Sequence, residues 1–365
     1  MRKITLRLCM ALMIVALCSC GKPSDGGEEP PVNGGSTEQP GNSDNPGGGD
    51  QPGQGGDNPG QGGVEFDPEA PVKWISEVLE FLPAPGQFVN TTTADMAAAK
   101  RLAYTVEDGK LHAGRSTVSL GGFGGYIVFR FNHDVVNRDG VDFVILGNAF
   151  GDAQYPQYSN SEPGIVQVAF DANGNGVRDD DEPWYELKSE NRAEEVECTG
   201  YEITYYRPDD LSAISDISWT DNFGGSGVIP TVEVAQFYSQ CIYPLGGYFA
   251  DGNVPEKLVF RGTKLKNNAK NMGGDGEAQY WTHETLSVGY ADNFSDDYDA
   301  VVGNDPDTRG GNKFDISDAI DADGNPVALD KITFVRVYNP INQQCGWVGE
   351  TSPEICGAIS LTTEK

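Results

Sequence analysis

Histidine is scarce in this chain: 365 residues hold three, His112, His133 and His283. No HExxH, GxSxG or GK[ST] sequence is present, so zinc-peptidase, serine-hydrolase and P-loop chemistry have no motif to stand on. Each histidine therefore reads as a surface or hydrogen-bonded residue. Positive charge is also short, with 25 Lys and Arg against 55 Asp and Glu and a net charge of −30. That balance argues against nucleic acid and against electrostatic binding to anionic lipid. No CxxC pair occurs, which argues against a zinc ribbon. The one long apolar run, residues 8–17 (LCMALMIVAL), is too short to span a bilayer as a helix. Strand and helix patterns do not alternate, which argues against a parallel α/β fold.

What is present begins with a lipoprotein signal. Arg2, Lys3 and Arg7 precede the apolar run, and Leu17-Cys18-Ser19-Cys20 follows it. An aliphatic residue three before a cysteine and a small one directly before it form a lipobox, so residues 1–19 read as a signal peptide and Cys20 as the lipidated residue. A lipid on Cys20 anchors the chain to a membrane through two or three acyl chains. Losing Arg2, Lys3 and Arg7 leaves the mature chain three charges more negative. Residues 20–63 hold the anchor and a Gly/Pro-rich run such as GGGDQPGQGGDNPGQGG, which is too polar to form a core and reads as a flexible tether.

From residue 64 to 365 the pattern changes. Gly is abundant at 47, and the 31 Tyr and Phe exceed the 25 Lys and Arg, as in a turn-rich β protein. A short helix is predicted over 94–102. Strands are predicted over 117–131, 141–147, 164–170, 184–188, 201–207, 256–261, 332–338 and 357–362. Gly121-Gly-Phe-Gly-Gly125 leads into a strand and reads as a tight turn. The predicted fold is all-β: a two-sheet β-sandwich of jelly-roll type, with long Gly/Asp/Asn-rich loops at 208–253 and 263–327.

The sharpest motif is Asp171-Ala-Asn-Gly-Asn-Gly-Val-Arg-Asp-Asp-Asp-Glu182. Calcium takes six to eight oxygens, and a twelve-residue loop supplies them from positions 1, 3, 5, 7, 9 and 12 with Gly at 6. Those positions are Asp171, Asn173, Asn175, the Val177 carbonyl, Asp179 and Glu182. The flanks GIVQVAF and PWYEL read as strands, so the prediction is a calcium loop of EF-hand spacing set between strands, with Ca2+ as its ion. Asp321-Ala-Asp-Gly-Asn325 opens the same way but lacks an acid at the twelfth position and reads as a turn. A patch of Asn304, Asp305, Asp307, Asn312 and Asp315 is a weaker candidate.

Beyond the signal region stand Cys198, Cys241, Cys345 and Cys356. An even number in an exported chain makes all four disulfide candidates, with three possible connectivities. Candidate ligand-stacking aromatics are Trp281, Trp347, Tyr280 and Trp219.

Several stretches carry a family resemblance: SLGGFGGYIVFRFNHDVVNRDGVDFVILGNAF, EPGIVQVAFDANGNGVRDDDEPWYEL, YEITYYRP, WTDNFGGSG and NKFDISDAIDADGNPVALDKITFVRVYNPINQQCGWVGETSPEI. In this order, over about residues 115–360, the chain resembles a family of Bacteroidetes cell-surface lipoproteins, many of which carry a PKD-like domain. Too few residues precede the match for a full PKD-like domain here. Asp25, Glu28 and Glu29 behind Cys20 resemble the export signal that sends such lipoproteins to the outer cell surface. The resemblance implies a surface-exposed outer-membrane protein that is not an enzyme. Some relatives are linked to vitamin B12 uptake, which implies cobalamin capture for a TonB-dependent transporter. The DxHxxG sequence of corrinoid enzymes is absent, so a corrinoid would keep its own base on cobalt. Three readings stay open: a calcium-stabilised ligand-capture module for cobalamin or glycan, a carboxylate-dependent glycan-processing enzyme, and a structural or adhesion protein.

Overall fold

Apolar and polar residues alternate along Tyr126–Val136, and that alternation gives strand β5 two faces. Ile127, Phe129 and Phe131 enter the main core, while Tyr126, Val128 and Arg130 face the other way. The computed structural model describes residues 67–91, 95–114, 116–151, 158–231, 240–273, 279–293 and 311–362. Cys20, the predicted signal peptide and the predicted tether to residue 63 lie outside the described residues. Glu65–Lys365 forms one unit.

β5 belongs to a six-stranded antiparallel sheet. Its order is β1 (Glu77–Leu82), β5, β17 (Lys331–Tyr338), β7 (Ile165–Ala169), β8 (Tyr185–Leu187) and β16 (Ala319–Ile320). The late strand β17 thus inserts between β5 and β7, pairing antiparallel with both. A second antiparallel sheet runs β15 (Gly311–Phe314), β6 (Phe143–Leu146) and β19 (Gly357–Ser360). Side chains of both sheets meet in one buried cluster, Phe129, Val168 and Val335 from the first with Phe143, Phe314 and Ala358 from the second. The Phe143 and Phe314 rings stack at 5.3 Å. Each such ring, fully buried, contributes about 1.5–3 kcal/mol. This is the sandwich-like, all-β architecture that the strand pattern predicts. The predicted helix is present as α1 (Met96–Lys100), N-capped by Asp95, with Ala98 and Ala99 buried on the same core.

A separate four-stranded antiparallel sheet has the order β11 (Ser226–Ile229), β10 (Ile217–Asp221), β9 (Val196–Tyr206) and β12 (Lys257–Leu265). It carries its own core of Ile203, Tyr205, Ile217 and Phe260, packed on Phe123 and Tyr243. One-turn helix α2 (Arg192–Glu195) leads into β9. Three two-stranded pairs complete the strands: β4 (Val118–Ser119) with β18 (Glu354–Ile355), β13 (Ala269–Asn271) with β14 (Trp281–His283), and β2 (Thr105–Glu107) with β3 (Lys110–His112). Among the described residues no helix is long and apolar enough to cross a membrane.

All eight predicted strand segments hold strands, but the predicted long loops are corrected. The segment 208–253 contains the β10–β11 hairpin, and 263–327 contains β13, β14, β15 and β16. These strands are two to five residues long and sit among Gly, Asp and Asn, so their alternation is too brief to register. β1 was likewise not predicted, because a bulge at Val78/Glu80 breaks its period.

Candidate metal centre

The loop 171–182 connects β7 to β8, between strands as its flanks predict. Asp171 organises it: Oδ1 accepts from the Gly174 and Asn175 amides at 2.7 and 3.2 Å, and Oδ2 from Gly176 at 2.6 Å. Gly174 and Gly176 both have φ in the left-handed region, which lets these N–H groups turn inward. Glu182 closes the ring, accepting from Ala172 N on Oε1 at 2.6 Å and from Asp179 N on Oε2 at 2.9 Å. The Asn173 and Asn175 amides both donate to Asp179 Oδ2. Val177 exposes its side chain and donates its N–H to Asn175 Oδ1. The structure thus brings all six predicted positions onto one turn. Arg130 fastens that turn to the sheet by donating to the Gly176 carbonyl at 3.0 Å, and Arg178 donates to the Asp179 and Glu182 carbonyls.

The tightest acidic cluster lies elsewhere. Among the described residues, one group of three acidic, histidine or cysteine side chains brings its ligand atoms within 4.8 Å of one another: Glu162, Asp292 and Glu354. Glu162 lies just before β7, Asp292 just after the Gly164–Ala291 bridge, and Glu354 in β18. The cluster is assembled from three distant segments. Asp292 holds them together: Oδ1 accepts from the Asn148 and Ala149 amides at 2.8 and 2.9 Å, Oδ2 accepts from Glu354 N at 2.8 Å, and its carbonyl accepts from Glu162 N at 3.0 Å. Asp292 takes a left-handed φ of 52°, a conformation that Asp tolerates better than most residues. Gly147 makes the approach possible, because a Cβ there would stand 2.2 Å from Asp292 Oδ1. Glu162 Oε1 accepts from Ser352 N at 2.9 Å, and Glu354 Oε1 from Ser119 Oγ at 2.9 Å.

All three carboxyl groups are buried, Asp292 completely. Burial is the largest cause pushing Glu162 and Glu354 well above the ordinary glutamate range, and repulsion from the neighbouring acids adds to it. Burial likewise pushes Asp292 up to about 7, against the backbone N–H bonds that pull it down. Glu350 stands near enough to raise Glu162 and Glu354 further, and among the described residues no basic side chain is one of the main influences on the three. Two like charges this close repel by roughly 3–4 kcal/mol at an effective dielectric constant near 20. The trio can hold protons or a cation, but not three uncompensated charges. Asn148 adds a neutral oxygen: its amide donates to Glu354, while its enclosed Oδ1 has no donor. Hard carboxylate and amide oxygens are the donor set of a divalent cation, and this cluster could hold one.

Sequence reading missed these residues. Each sits singly in an ordinary turn segment, Glu162-Pro-Gly, Ala-Asp292-Asn or Pro-Glu354-Ile, with no spacing to betray it. The other predicted candidates separate. Asp321 accepts from Asp323 N and Asn325 N in the turn before β17, as predicted. Asn304, Asp305 and Asp307 lie outside the described residues. Asn312 is buried in β15 and accepts from Asn293 N, and Asp315 caps the helical turn Ile316–Asp318.

The disulfide expectation is corrected: among the described residues no disulfide joins Cys198, Cys241, Cys345 or Cys356. They occupy different settings. Cys345 contacts Thr351 Oγ1, Cys356 contacts Thr117 Oγ1, Cys241 lies beside the Tyr243 carbonyl, and Cys198 sits in β9 opposite Lys264.

Among the aromatics, Trp281 and Trp347 come together. Trp281 Nε1 donates to Gln279 Oε1 at 3.1 Å and Trp347 Nε1 to the Gln279 carbonyl at 3.2 Å. Tyr280 follows Gln279 and is half-buried. Trp219 belongs to β10, its ring packed over Gly227. His112 is exposed. His133 bonds Ser360 Oγ through one ring nitrogen and Asn132 through the other, with no carboxylate orienting it. His283 is buried with both nitrogens unpartnered, and burial drops its pKa to about 4.

No protein-family model matches this chain, and no curated protein matches it either.

Proposed function

We propose that the chain is a non-enzymatic, calcium-stabilised ligand-capture module on a lipid-anchored tether at the outer-membrane surface. The observation that carries the metal part is the buried trio Glu162, Asp292 and Glu354, enclosed together with no basic side chain of the described residues among the main influences on it. Calcium at this cluster ties three distant segments together, and a second calcium fits the twelve-residue loop 171–182. The insertion of β17 between β5 and β7, with β6 and β15 paired in the other sheet, supports a jelly-roll connectivity. A glycan-processing role is less well supported, because the two carboxyl groups of such an enzyme must open onto a substrate and these are enclosed.

The family resemblance and the tether support placement at the cell surface, with Cys20 as the lipidated residue. Cobalamin is the first ligand in this reading, passed on to a TonB-dependent transporter, and glycan is the second. Trp281 and Trp347, joined through Gln279, offer an aromatic platform. The test is a titration of cobalamin and a glycan panel into the purified protein with calcium present. Saturable binding to either supports capture. Absence of binding to both at millimolar ligand contradicts it.

A further inference from the structure

A groove of about 820 Å³ is lined by residues at the start of the edge strand β1, along β5 and on β17. That volume falls within the roughly 300–1,000 Å³ of small-ligand sites. Seven of the eight lining residues are polar, and the exception, Phe131, is buried. The polar groups reach solvent. The side chains of Glu77, Arg130 and Asp134 are 51%, 30% and 31% exposed, and Asn132 is exposed. The charges in the groove are matched. Arg130 donates to Glu77 Oε2 through Nε at 3.0 Å and Nη2 at 2.7 Å, and Lys331 Nζ donates to Asp134 Oδ2 at 2.6 Å. His133 has both ring nitrogens engaged, and burial lowers its pKa from the ordinary histidine value, so it adds no charge at neutral pH. An ionic ligand therefore finds no unmatched charge here.

Hydrogen-bonding capacity remains, however. A guanidinium has five N–H donors. Arg130 spends two on Glu77 and one on the Gly176 carbonyl, which leaves two. Both bonds to Glu77 fall on Oε2, so Oε1 is without a partner among the described residues. Spare donors and a spare acceptor thus share one solvent-exposed ion pair. Two neighbouring hydroxyls of a sugar match that pattern, one accepting from the guanidinium and the other donating to the carboxylate. Both bonds would be charge-assisted, although the ligand is neutral. The groove is also braced from below. The Gly176 carbonyl holds Arg130 at 3.0 Å, and Thr333 Oγ1 accepts from Asp171 N at 3.2 Å while donating to Asp134 Oδ1 at 2.8 Å. Side chains held in this way lose little further freedom when a ligand arrives.

We propose that this groove binds a neutral glycan, with the Arg130–Glu77 pair taking two adjacent hydroxyls of one sugar ring. The inference rests on the capture role proposed above and gives the glycan of that reading a place on the molecule.

The test follows the 1H–15N resonance of Arg130 Nε in the purified protein with calcium present, assigned by its loss in R130K. Cellotriose, mannotriose and maltotriose are titrated in turn, with tetraethylene glycol, which is neutral but has no adjacent hydroxyls, as the control. The expected result is a saturable shift with at least one of the sugars and none with the control. Glu77 is half-exposed, so E77A should melt like the wild type, and it should bind that sugar at least about tenfold more weakly, the size of one lost charge-assisted hydrogen bond. Should E77A not fold, E77Q, which keeps the shape of the side chain, takes its place. No shift with any of the sugars, an equal shift with tetraethylene glycol, or undiminished sugar binding by the variant overturns the assignment. Cobalamin binding without a sugar response, or sugar binding that the variant leaves intact, leaves capture standing and removes this inference alone.

Discussion

The loop 171–182 and the trio Glu162, Asp292 and Glu354 are both built from acids, and the chain builds them in opposite ways. The loop is contiguous, and the hydrogen bonds between its own residues span at most ten positions. Its Asp and Glu ends are buried, while Asn173, Asn175 and Asp179 make exposed contacts. The trio joins segments tied across 62 residues in one case and 190 in another, and all of it is enclosed. A local site survives with its own backbone holding it. A non-local one exists only when the sandwich has folded, and its charge repulsion falls on the whole fold. Ion removal should therefore unfold one region and strain the entire molecule at the other.

The largest effect should come from D292A. It leaves the Asn148, Ala149 and Glu354 amides buried without an acceptor, and unmet buried donors cost about 1–3 kcal/mol each. Denaturant unfolding should show a loss of at least about 3 kcal/mol, whereas a loss near zero would show that Asp292 does not hold the segments together. Next in size is the pH response of the metal-free protein. Asp292 is raised from an aspartate's 3.8 to about 7, so the native state binds more protons than the unfolded chain between those values. The stability it contributes is full below about pH 4 and is lost as pH rises through 7. In EDTA the melting temperature should fall over that window, and calcium should flatten the fall by replacing the protons.

A smaller effect is expected from D171A, which removes the acceptor for three loop amides that have water as an alternative. A loss of about 1–2 kcal/mol fits a local site, and cleavage by a protease within 171–182 should report it before global unfolding does. The smallest is a null: dithiothreitol should leave the melting temperature unchanged, since no disulfide joins Cys198, Cys241, Cys345 or Cys356. A drop of several degrees would restore a disulfide.

What the sequence disclosed follows the same division. Strands with a sustained two-residue period, such as Tyr126–Val136 and Lys331–Tyr338, were legible because alternation is a local signal. The 171–182 turn was legible because a fixed ligand spacing is also local. β10, β11 and β15 were not, since four or five residues set among Gly and Asn carry too little period. Glu162, Asp292 and Glu354 were illegible for a different reason. Their significance is a missing partner, and partners are set by sheet order, which no stretch of this chain spells out.

The central claim is that the buried trio holds a cation, and calcium stoichiometry tests it most directly. Protein stripped with EDTA at pH 7.5 is titrated with calcium by calorimetry, as wild type, as D171A and as the E162Q/E354Q pair. The account predicts two ions for the wild type and one for each variant, the ion lost from E162Q/E354Q being the one that raises global stability. Equal stoichiometry in the wild type and E162Q/E354Q would contradict it.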